Sequence, residues 1–338
     1  MYHKRIVCDF DDTLAYHQGR DFDNAIPNMD LIKKLNDLYD QGWQIDIFTA
    51  RGSISCNTRE EARQKYEASM TAWLQKYNVK YNLLSFDKPL AAYYIDDKGI
   101  MPEDFLKVDI RELEGGLSGT EIFTDGKVVH KQDPNAHETN KWFNEASVAD
   151  IKTPVIHRVV GQTITMDYIE HDEEFFFRNY HVAMGLIQTQ LEKMKALPAM
   201  DKLKYSSYMQ RIEEHARNSG REELIENAML LHNYDLERSF SHGDFGIKNM
   251  LFKDQELYLI DPICNVFGCT AIDAAKFCAS LLINHYPETY VRKSIDFMSV
   301  VNDINRNMLT KLTRAEITRV YKYHPDKNFI MECFDNVY

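Results

Sequence analysis

The feature that most constrains the fold is an alternation of strand-like and helix-like segments in the first 110 residues. Short runs rich in β-branched or aromatic residues occur at 5–9, 44–49 and 92–95, and helical patterns of apolar residues lie between them, at 29–39 and 58–77. Alternation in this order predicts a parallel sheet with helices packed on its faces. We therefore expect an N-terminal doubly wound α/β domain over residues 1–110.

Residues able to handle a phosphoryl group follow these strand-like runs. Asp9 and Asp11 follow the first, Thr49 ends the second, Lys88 precedes the third, and the pair Asp96 and Asp97 follows it. The carboxyl ends of parallel strands open on one crevice, so these side chains are expected to meet. A carboxylate can accept a phosphoryl group and pass it to water, while a lysine and Mg²⁺ neutralise the phosphoryl oxygens. Asp11 can protonate the leaving oxygen if its surroundings raise its pKa.

The motifs DFDDT, TAR, Lys88 and DD, in this order, resemble those of the haloacid dehalogenase (HAD) superfamily of phosphatases. The segment from IDIFTARG to YYIDDKGIMP is similar to the small capless phosphatases of capsule biosynthesis. The resemblance implies that Asp9 is the nucleophile, that Asp11 is the acid/base, and that Thr49 and Lys88 bind the phosphoryl group. It also implies a set of Mg²⁺ ligands: Asp9, Asp11, Asp96 and Asp97. Arg51 is left with two interpretations, a substrate contact or a surface charge.

A second pattern begins near residue 111. Residues 112–131 indicate a β-hairpin with Asp125-Gly126 at its turn, and a later loop reads SHGDFGIKNML. Asn249 lies five residues after Asp244, and Asp261 lies twelve after Asn249, across a segment that reads as another hairpin. Asn249 and Asp261 can then share the Mg²⁺ of a nucleotide, while Asp244 accepts the proton of an alcohol.

Upstream residues fit the same chemistry. Gly116, Ser118 and Gly119 lie in a turn where small residues let backbone amides approach phosphates. Lys131, on the next strand, is placed to reach those phosphates, with Glu138 or, alternatively, Glu145 as its ion-pair partner. The backbone around Asp167 and Ile169 is placed to hydrogen-bond adenine.

Residues 111–338 resemble the aminoglycoside phosphotransferase and choline kinase branch of the protein-kinase-like fold, most firmly in HGDFGIKN followed by LID. The resemblance implies a bilobal α+β domain in which Asp244 is the catalytic base, Asn249 and Asp261 bind Mg²⁺, and Lys131 binds ATP phosphates. Asp273, in AIDAAKF, resembles a structural aspartate of these kinases, and we expect structural roles for it and for His242.

Composition limits the partners. Lys plus Arg number 40 against 52 Asp plus Glu, a net charge of −12, which disfavours a nucleic-acid partner. The six cysteines form no CxxC pair, and the N-terminal apolar run is broken by acids too early for a secretory signal. No segment is apolar enough to insert into a membrane. We expect a cytoplasmic protein, and its oligomeric state stays open.

The sequence therefore predicts a bifunctional enzyme that uses Mg²⁺ and takes ATP as co-substrate. Residues 1–110 are expected to remove a phosphate from a small molecule, and residues 111–338 to phosphorylate a hydroxyl, with a sugar or sugar phosphate of capsule precursor synthesis as the expected substrate. One alternative is a phosphatase gated by a nucleotide-binding but non-catalytic kinase-like domain. Another is a nucleic-acid end-healing kinase-phosphatase, which the absence of a GxxxxGK[ST] motif and the net charge disfavour.

Overall fold

The computed structural model describes residues 4–17, 24–91, 93–94, 99–113, 120–200, 203–264, 266–301 and 303–337. The chain divides into two compact units, Met1–Ile110 and Arg111–Tyr338, called here the N-terminal and the C-terminal unit.

The N-terminal unit alternates strands and helices. Its described elements are β1 (Arg5–Asp9), β2 (Ala15–Tyr16), β3 (Ile26–Pro27), α1 (Met29–Asp40), β4 (Gln44–Phe48), α2 (Arg59–Lys76), β5 (Leu83–Ser85) and α3 (Pro102–Phe105). Strands β1, β4 and β5 form a parallel sheet in that spatial order, as the alternation predicted. In the register of this sheet Asp9 lies opposite Phe48, and Thr49 and Lys88 follow the ends of β4 and β5.

Local signals in the sequence determine where the two long helices begin. The side chain of Asn28 accepts a hydrogen bond from the amide of Leu31 at the start of α1, and that of Thr58 does the same for Glu61 at the start of α2. Such N-caps satisfy amide groups that have no partner within the helix. Helix α1 then buries an apolar stripe at helical spacing, made of Leu31, Ile32, Leu35 and Leu38.

The strand predicted at 92–95 is wrong for the residues described there. Tyr93 and Tyr94 lie outside any strand and are 87% and 53% exposed, whereas Leu84, at the centre of β5, is 8% exposed. Side chains this exposed do not pack against a neighbouring strand, and the third strand of the described sheet is β5 instead.

The C-terminal unit begins with a sheet and continues as a helical body. Its strands are β6 (Arg111–Glu112), β7 (Ile122–Thr124), β8 (Val128–Gln132), β9 (Ile156–Val160), β10 (Thr163–Asp167), β11 (Met250–Lys253) and β12 (Glu256–Leu259). Its helices are α4 (Ala136–Val148), α5 (Phe175–Arg178), α6 (Tyr180–Lys195), α7 (Tyr205–Ser219), α8 (Glu222–Leu230), α9 (Thr270–Ile283), α10 (Glu288–Val301), α11 (Arg306–Tyr321) and α12 (Lys327–Asp335).

The sheet of this unit is antiparallel, in the order β6-β7-β8-β10-β9. The hairpin predicted at Asp125-Gly126 is confirmed, since the Asp125 carboxylate accepts the amides of Lys127 and Val128, both at 2.8 Å, and Gly126 has a φ of +86°. Strand β9 is not among the strands predicted from the sequence. Its residues His157 and Arg158 are both exposed, so it shows none of the alternation that indicates a strand.

Helix α9 is the centre of the helical body and is buried along almost its whole length. It packs against α6, α10, α11 and α12. A helix that is apolar nearly all round belongs in a core, so polar residues near its beginning need partners inside the protein. None of the helices in the described residues has the length and apolarity to cross a membrane.

Candidate functional sites

The carboxyl end of the N-terminal sheet holds an aspartate–lysine pair. The Nζ atom of Lys88 lies 2.6 Å from Oδ2 of Asp9, and the amide of Phe10 donates to Oδ1 of Asp9 at 2.9 Å. Burial raises the pKa of Asp9, and the ammonium of Lys88 opposes that effect. The structure thus brings together the predicted nucleophile and the predicted phosphoryl-binding lysine.

Asp11 belongs to a second cluster at the same end of the sheet. Its Oδ1 accepts from Nε of Arg51 at 3.2 Å, its Oδ2 accepts from the hydroxyl of Thr49 at 3.1 Å, and Nε2 of His17 lies 3.3 Å from Oδ1. Arg51 is 7% exposed, so the surface-charge interpretation of this residue is wrong. The hydroxyl of Thr49, predicted to bind a phosphoryl oxygen, is engaged with Asp11 here.

Only some of the predicted metal ligands of the N-terminal unit lie among the residues that the structure describes. Asp96 and Asp97 lie outside the described residues, so their role stays a prediction. Across the described ranges, no group of three or more His, Cys, Asp or Glu side chains is placed to hold a metal ion.

In the C-terminal unit, the loop that carries Asp244 is held from below by Asp273 at the start of α9. The amides of His242 and Gly243 donate to its two carboxylate oxygens at 2.7 and 2.9 Å. Gly243 has a φ of +75°, and a Cβ atom there would lie 2.2 Å from the carbonyl oxygen of Ile263. The turn therefore requires glycine, and Asp273 has the structural position that the sequence analysis expected.

His242 is fully buried beneath this loop. Its ring packs edge-on against Trp142, with 5.2 Å between centroids, and its Nδ1 accepts from the amide of Asp244 at 3.3 Å. Its Nε2 is buried and has no hydrogen-bond partner among the described residues. Burial lowers the pKa of His242 to about 4, so the imidazole is neutral near pH 7 and packs the loop as a structural residue.

The carboxylate of Asp244 lies between an amide and an ammonium group. Nδ2 of Asn249 donates to its Oδ2 at 2.9 Å, and Nζ of Lys276 lies 3.1 Å from its Oδ1. Burial acts to raise the pKa of Asp244, but the nearby charge of Lys276 outweighs it, and the net pKa lies below the ordinary value. This arrangement keeps Asp244 ionised and fixes its direction.

Lys276 is not among the site residues predicted from the sequence. Its signal was its position three residues after Asp273 in AIDAAKF, because residues three apart lie on the same face of a helix. The helix turn that places Asp273 beneath the loop therefore also places Lys276 beside it.

The hairpin β11–β12 returns Asp261 to the loop. Asp254 and Gln255 form its two-residue turn, both with positive φ, and the amide of Ile260 donates to the carbonyl of Asn249 at 3.1 Å. Asp261 is the next residue after Ile260 and contacts Nζ of Lys131 on β8. Lys131 therefore contacts Asp261 directly. Asn249 is linked to Asp261 only through the backbone hydrogen bond between Asn249 and Ile260, the neighbour of Asp261.

The predicted pairing of Lys131 with Glu138 is wrong, and Glu145 does not replace it. Both glutamates are exposed, and neither lies within 4.0 Å of Lys131 in the part of the chain that the structure describes. Helix α4 turns its apolar face inward, and the two glutamates occupy the opposite side. The inward face consists of Ala136, Thr139, Trp142, Phe143 and Ala146.

The predicted adenine-binding backbone lies at the end of β10. The amide of Asp167 donates to the carbonyl of Val155 at 3.0 Å, and the carbonyl of Ile169 lies 3.2 Å from Nδ1 of His171. Gly116, Ser118 and Gly119 lie outside the described residues. The nucleotide contacts of these five residues stay predictions.

The donor set beside Asp244 fits magnesium. The amide nitrogen of Asn249 is committed to Asp244 and Oδ1 of Asp261 contacts Lys131, which leaves the side-chain oxygen of Asn249 and the second carboxylate oxygen of Asp261 as ligands. Mg²⁺ typically takes one or two protein oxygens and completes its shell with water and substrate phosphates. These two residues suit a metal that arrives with a nucleotide.

Asp244 and Asn249 lie on one loop, and the β11–β12 hairpin returns Asp261 to it. Together with the antiparallel sheet and the helical body, this arrangement is that of a bilobal kinase-like fold. No protein-family model and no curated protein matches the chain. Among solved structures, a choline/ethanolamine kinase family protein from Mesorhizobium loti is 12% identical with a TM-score of 0.52, over 68% of this chain and 86% of that one.

Two further solved structures are similar to parts of the chain. The Plasmodium vivax ethanolamine kinase is 11% identical with a TM-score of 0.49, over 70% of this chain and 84% of its own. A structural-genomics target from Vibrio cholerae is 28% identical with a TM-score of 0.29, over 32% of this chain and 90% of its own. The Mesorhizobium likeness, at its low identity, shows the fold alone, and it confirms the predicted kinase-like fold.

Proposed function

We propose that this chain is a bifunctional enzyme. The C-terminal unit is an ATP-dependent kinase of a small-molecule hydroxyl, and the N-terminal unit is a HAD-type, Mg²⁺-dependent phosphomonoesterase. The observation that carries the kinase is the carboxylate of Asp244, held by Asn249 and Lys276 at the point where the β11–β12 hairpin returns Asp261.

In the kinase reaction, the acceptor hydroxyl attacks the γ-phosphorus of ATP while the bond to the ADP oxygen breaks. Asp244 orients the hydroxyl and accepts its proton. Lys131 binds the nucleotide phosphates, and in this proposal they displace its contact with Asp261. Asn249 and Asp261 hold Mg²⁺, which supplies charge neutralisation of the phosphates when bound.

In the phosphatase reaction, Oδ2 or Oδ1 of Asp9 attacks the phosphorus of a phosphomonoester and the alcohol leaves. The resulting phosphoaspartyl group is then hydrolysed by water. Lys88, at 2.6 Å from Asp9, is placed to neutralise the phosphoryl oxygens. Asp11 is assigned as the acid for the leaving alcohol, and it must give up its contact with Arg51 to take up a proton. Asp96 and Asp97 complete the proposed Mg²⁺ ligands.

A sugar phosphate is the substrate class that best explains why the two activities share a chain. Adding and removing phosphate at one position would be futile, whereas acting at two positions of one metabolite would be useful. The similarity of residues 1–110 to capsule-biosynthesis phosphatases leads to the same proposal, with a cytoplasmic site of action.

Two single substitutions test the assignment. Asp9→Asn should abolish phosphate release from sugar phosphates, because it removes the proposed nucleophile, and leave ATP-dependent phosphorylation unchanged. Asp244→Asn should reduce that phosphorylation by roughly 10²–10⁴-fold and leave phosphate release unchanged. Matched controls are Asp12→Asn, beside the first site, and Asp254→Asn, in the β11–β12 turn. Both residues have positive φ, which asparagine tolerates.

The outcome separates the proposals. If Asp9→Asn leaves phosphate release unchanged, the nucleophile is not Asp9. If Mg-ATP raises the melting temperature but no sugar or sugar phosphate is phosphorylated, the C-terminal unit is a nucleotide-binding domain that gates the phosphatase.

A further inference from the structure

A cavity opens beside the loop that carries Asp244. It has a volume of about 90 Å³, and its lining includes Ser207, Tyr208 and Arg211 from α7, Gly243 and Asp273 from the loop and its support, and Arg319 from α11. Gly243 is the residue immediately before Asp244. A molecule in this cavity therefore lies against the residue that precedes the proposed catalytic base.

The acidic groups at this cavity are already engaged. Both oxygens of Asp273 accept loop amides. Glu316, beneath the cavity and 2% exposed, accepts from the hydroxyl of Tyr208 at 2.9 Å and pairs with Nη1 of Arg319 at 2.5 Å. Lys276 lies 3.9 Å from the same glutamate. No carboxylate oxygen of these residues is left to attract a cation.

The second arginine of the cavity has no such partner. Arg211 has no Asp or Glu oxygen within 4.0 Å of its guanidinium among the described residues. Arg211 is exposed, and its pKa is lowered by desolvation and by the charge of Arg319, against the opposite effect of Glu316 and Glu214. His215 is one turn further along α7, its Nδ1 is buried without a hydrogen-bond partner among the described residues, and burial and both arginines lower its pKa. Arg211 is therefore the guanidinium of this cavity that no described carboxylate pairs with, and the strongest neighbouring charge acting on it is that of Arg319.

We propose that the acceptor of the kinase reaction is an alcohol that carries an anionic group, a phosphate monoester or a carboxylate, and that Arg211 and Arg319 bind this group. The inference rests on the proposed kinase function. The anion occupies the cavity and the hydroxyl extends past Gly243 to Asp244. Guanidinium groups suit this role because they present paired donors to phosphate and carboxylate oxygens. The same charges repel a quaternary ammonium acceptor and give a neutral sugar no anchor.

Matched acceptors test the proposal on the full chain. We expect ATP-dependent phosphorylation, read by mass spectrometry, of glucose 6-phosphate or glycerol 3-phosphate rather than of glucose, glycerol or choline. Glucuronate distinguishes a carboxylate from a phosphate. Arg211→Gln should raise KM for the anionic acceptor by roughly 10- to 100-fold, as expected for losing hydrogen bonds to a charged group, and leave KM for ATP unchanged.

Two further variants control for structural effects. Arg211→Lys keeps the charge and should restore part of the lost affinity. Arg217→Gln removes an exposed arginine of the same helix, paired with Glu213 at 3.6 Å, and should change neither KM. Direct binding of glycerol 3-phosphate and glucose 6-phosphate, measured by isothermal titration calorimetry, gives a readout that does not depend on turnover.

Each result supports or overturns the inference. Equal turnover of neutral and anionic acceptors, unaffected by Arg211→Gln, overturns it and leaves the kinase standing. Binding of a sugar phosphate that Arg211→Gln abolishes, without any turnover, supports the anion site and contradicts the proposed kinase. Absence of both binding and turnover across the panel overturns both.

Discussion

The ammonium of Lys276 gives the sharpest quantitative prediction, because it supports Asp244 and its removal can be measured without knowing the substrate. Its Nζ donates to the carbonyl of Gly243 and lies 3.1 Å from Asp244. Two unit charges at that distance interact by about 5 kcal/mol at an effective dielectric constant of 20. Since the side chain of Asp244 is 41% exposed, solvent screens most of this energy, and we expect Lys276→Met to lower the free energy of unfolding by about 1–2 kcal/mol near neutral pH.

The pH dependence of this loss has a definite sign. In the folded protein the pKa of Asp244 lies below its ordinary value of 3.8, so its stabilisation is complete above that value. The stabilisation is lost as the pH falls through the lower, folded-state pKa. The difference in stability between the wild type and Lys276→Met should therefore shrink as the pH drops below about 4.

The assay is urea unfolding followed by the fluorescence of Trp142. The chain has three tryptophans, and replacing Trp43 and Trp73, both in the N-terminal unit, by phenylalanine leaves only this reporter in the C-terminal unit. Lys248→Met is the matched control, since Lys248 is an exposed lysine of the same loop. An equal loss in the two variants near neutral pH, or a difference that persists in strong acid, would refute the reasoning.

Two more predictions concern the same loop. Gly243→Ala should lower the free energy of unfolding of the C-terminal unit by more than about 2 kcal/mol, because the new Cβ would lie 2.2 Å from the carbonyl oxygen of Ile263. Gly126→Ala is the control: Gly126 also has a positive φ but has open space around it, so the loss should be only about 1 kcal/mol. Equal losses in urea unfolding would contradict this account. His242 has a folded-state pKa of about 4 against an ordinary 6.5, so its unfolded form binds the proton first and stability should fall by roughly 3 kcal/mol as the pH drops from 6.5 to 4. His242→Asn should flatten that stretch of the stability–pH curve, and an unchanged slope would count against a buried neutral imidazole.

The parts of the structure that the sequence predicted well are governed by local rules. The Asp-Gly turn of β7–β8 and the helical periodicity of α1 and α2 depend on residues within four positions of each other. The spacing of Asp244, Asn249 and Asp261 belongs to the same class, because a two-residue turn between β11 and β12 fixes how far the chain returns.

The predictions that were wrong or missing depend on which residues are buried, and a short stretch of sequence does not show this. The run AYYI has strand-like composition, yet its two described tyrosines are exposed and Leu84 takes the place in the sheet. Glu138 has the expected distance from Lys131 along the chain, but the apolar face of α4 turns it toward solvent. Arg211 and Arg319, 108 positions apart, meet only because α7 and α11 pack together.

Both proposed sites pair an aspartate with a lysine, but the pKa values of the two aspartates are shifted in opposite directions. Asp9 and Asp244 each face a lysine ammonium, Lys88 at 2.6 Å and Lys276 at 3.1 Å. At Asp9 burial prevails and the pKa is raised, which makes its oxygens more basic and better nucleophiles toward phosphorus. At Asp244 the charge of Lys276 prevails and the pKa is lowered. A weakly basic carboxylate attacks phosphorus poorly but still orients a hydroxyl, and it accepts the proton only as the oxygen–phosphorus bond forms.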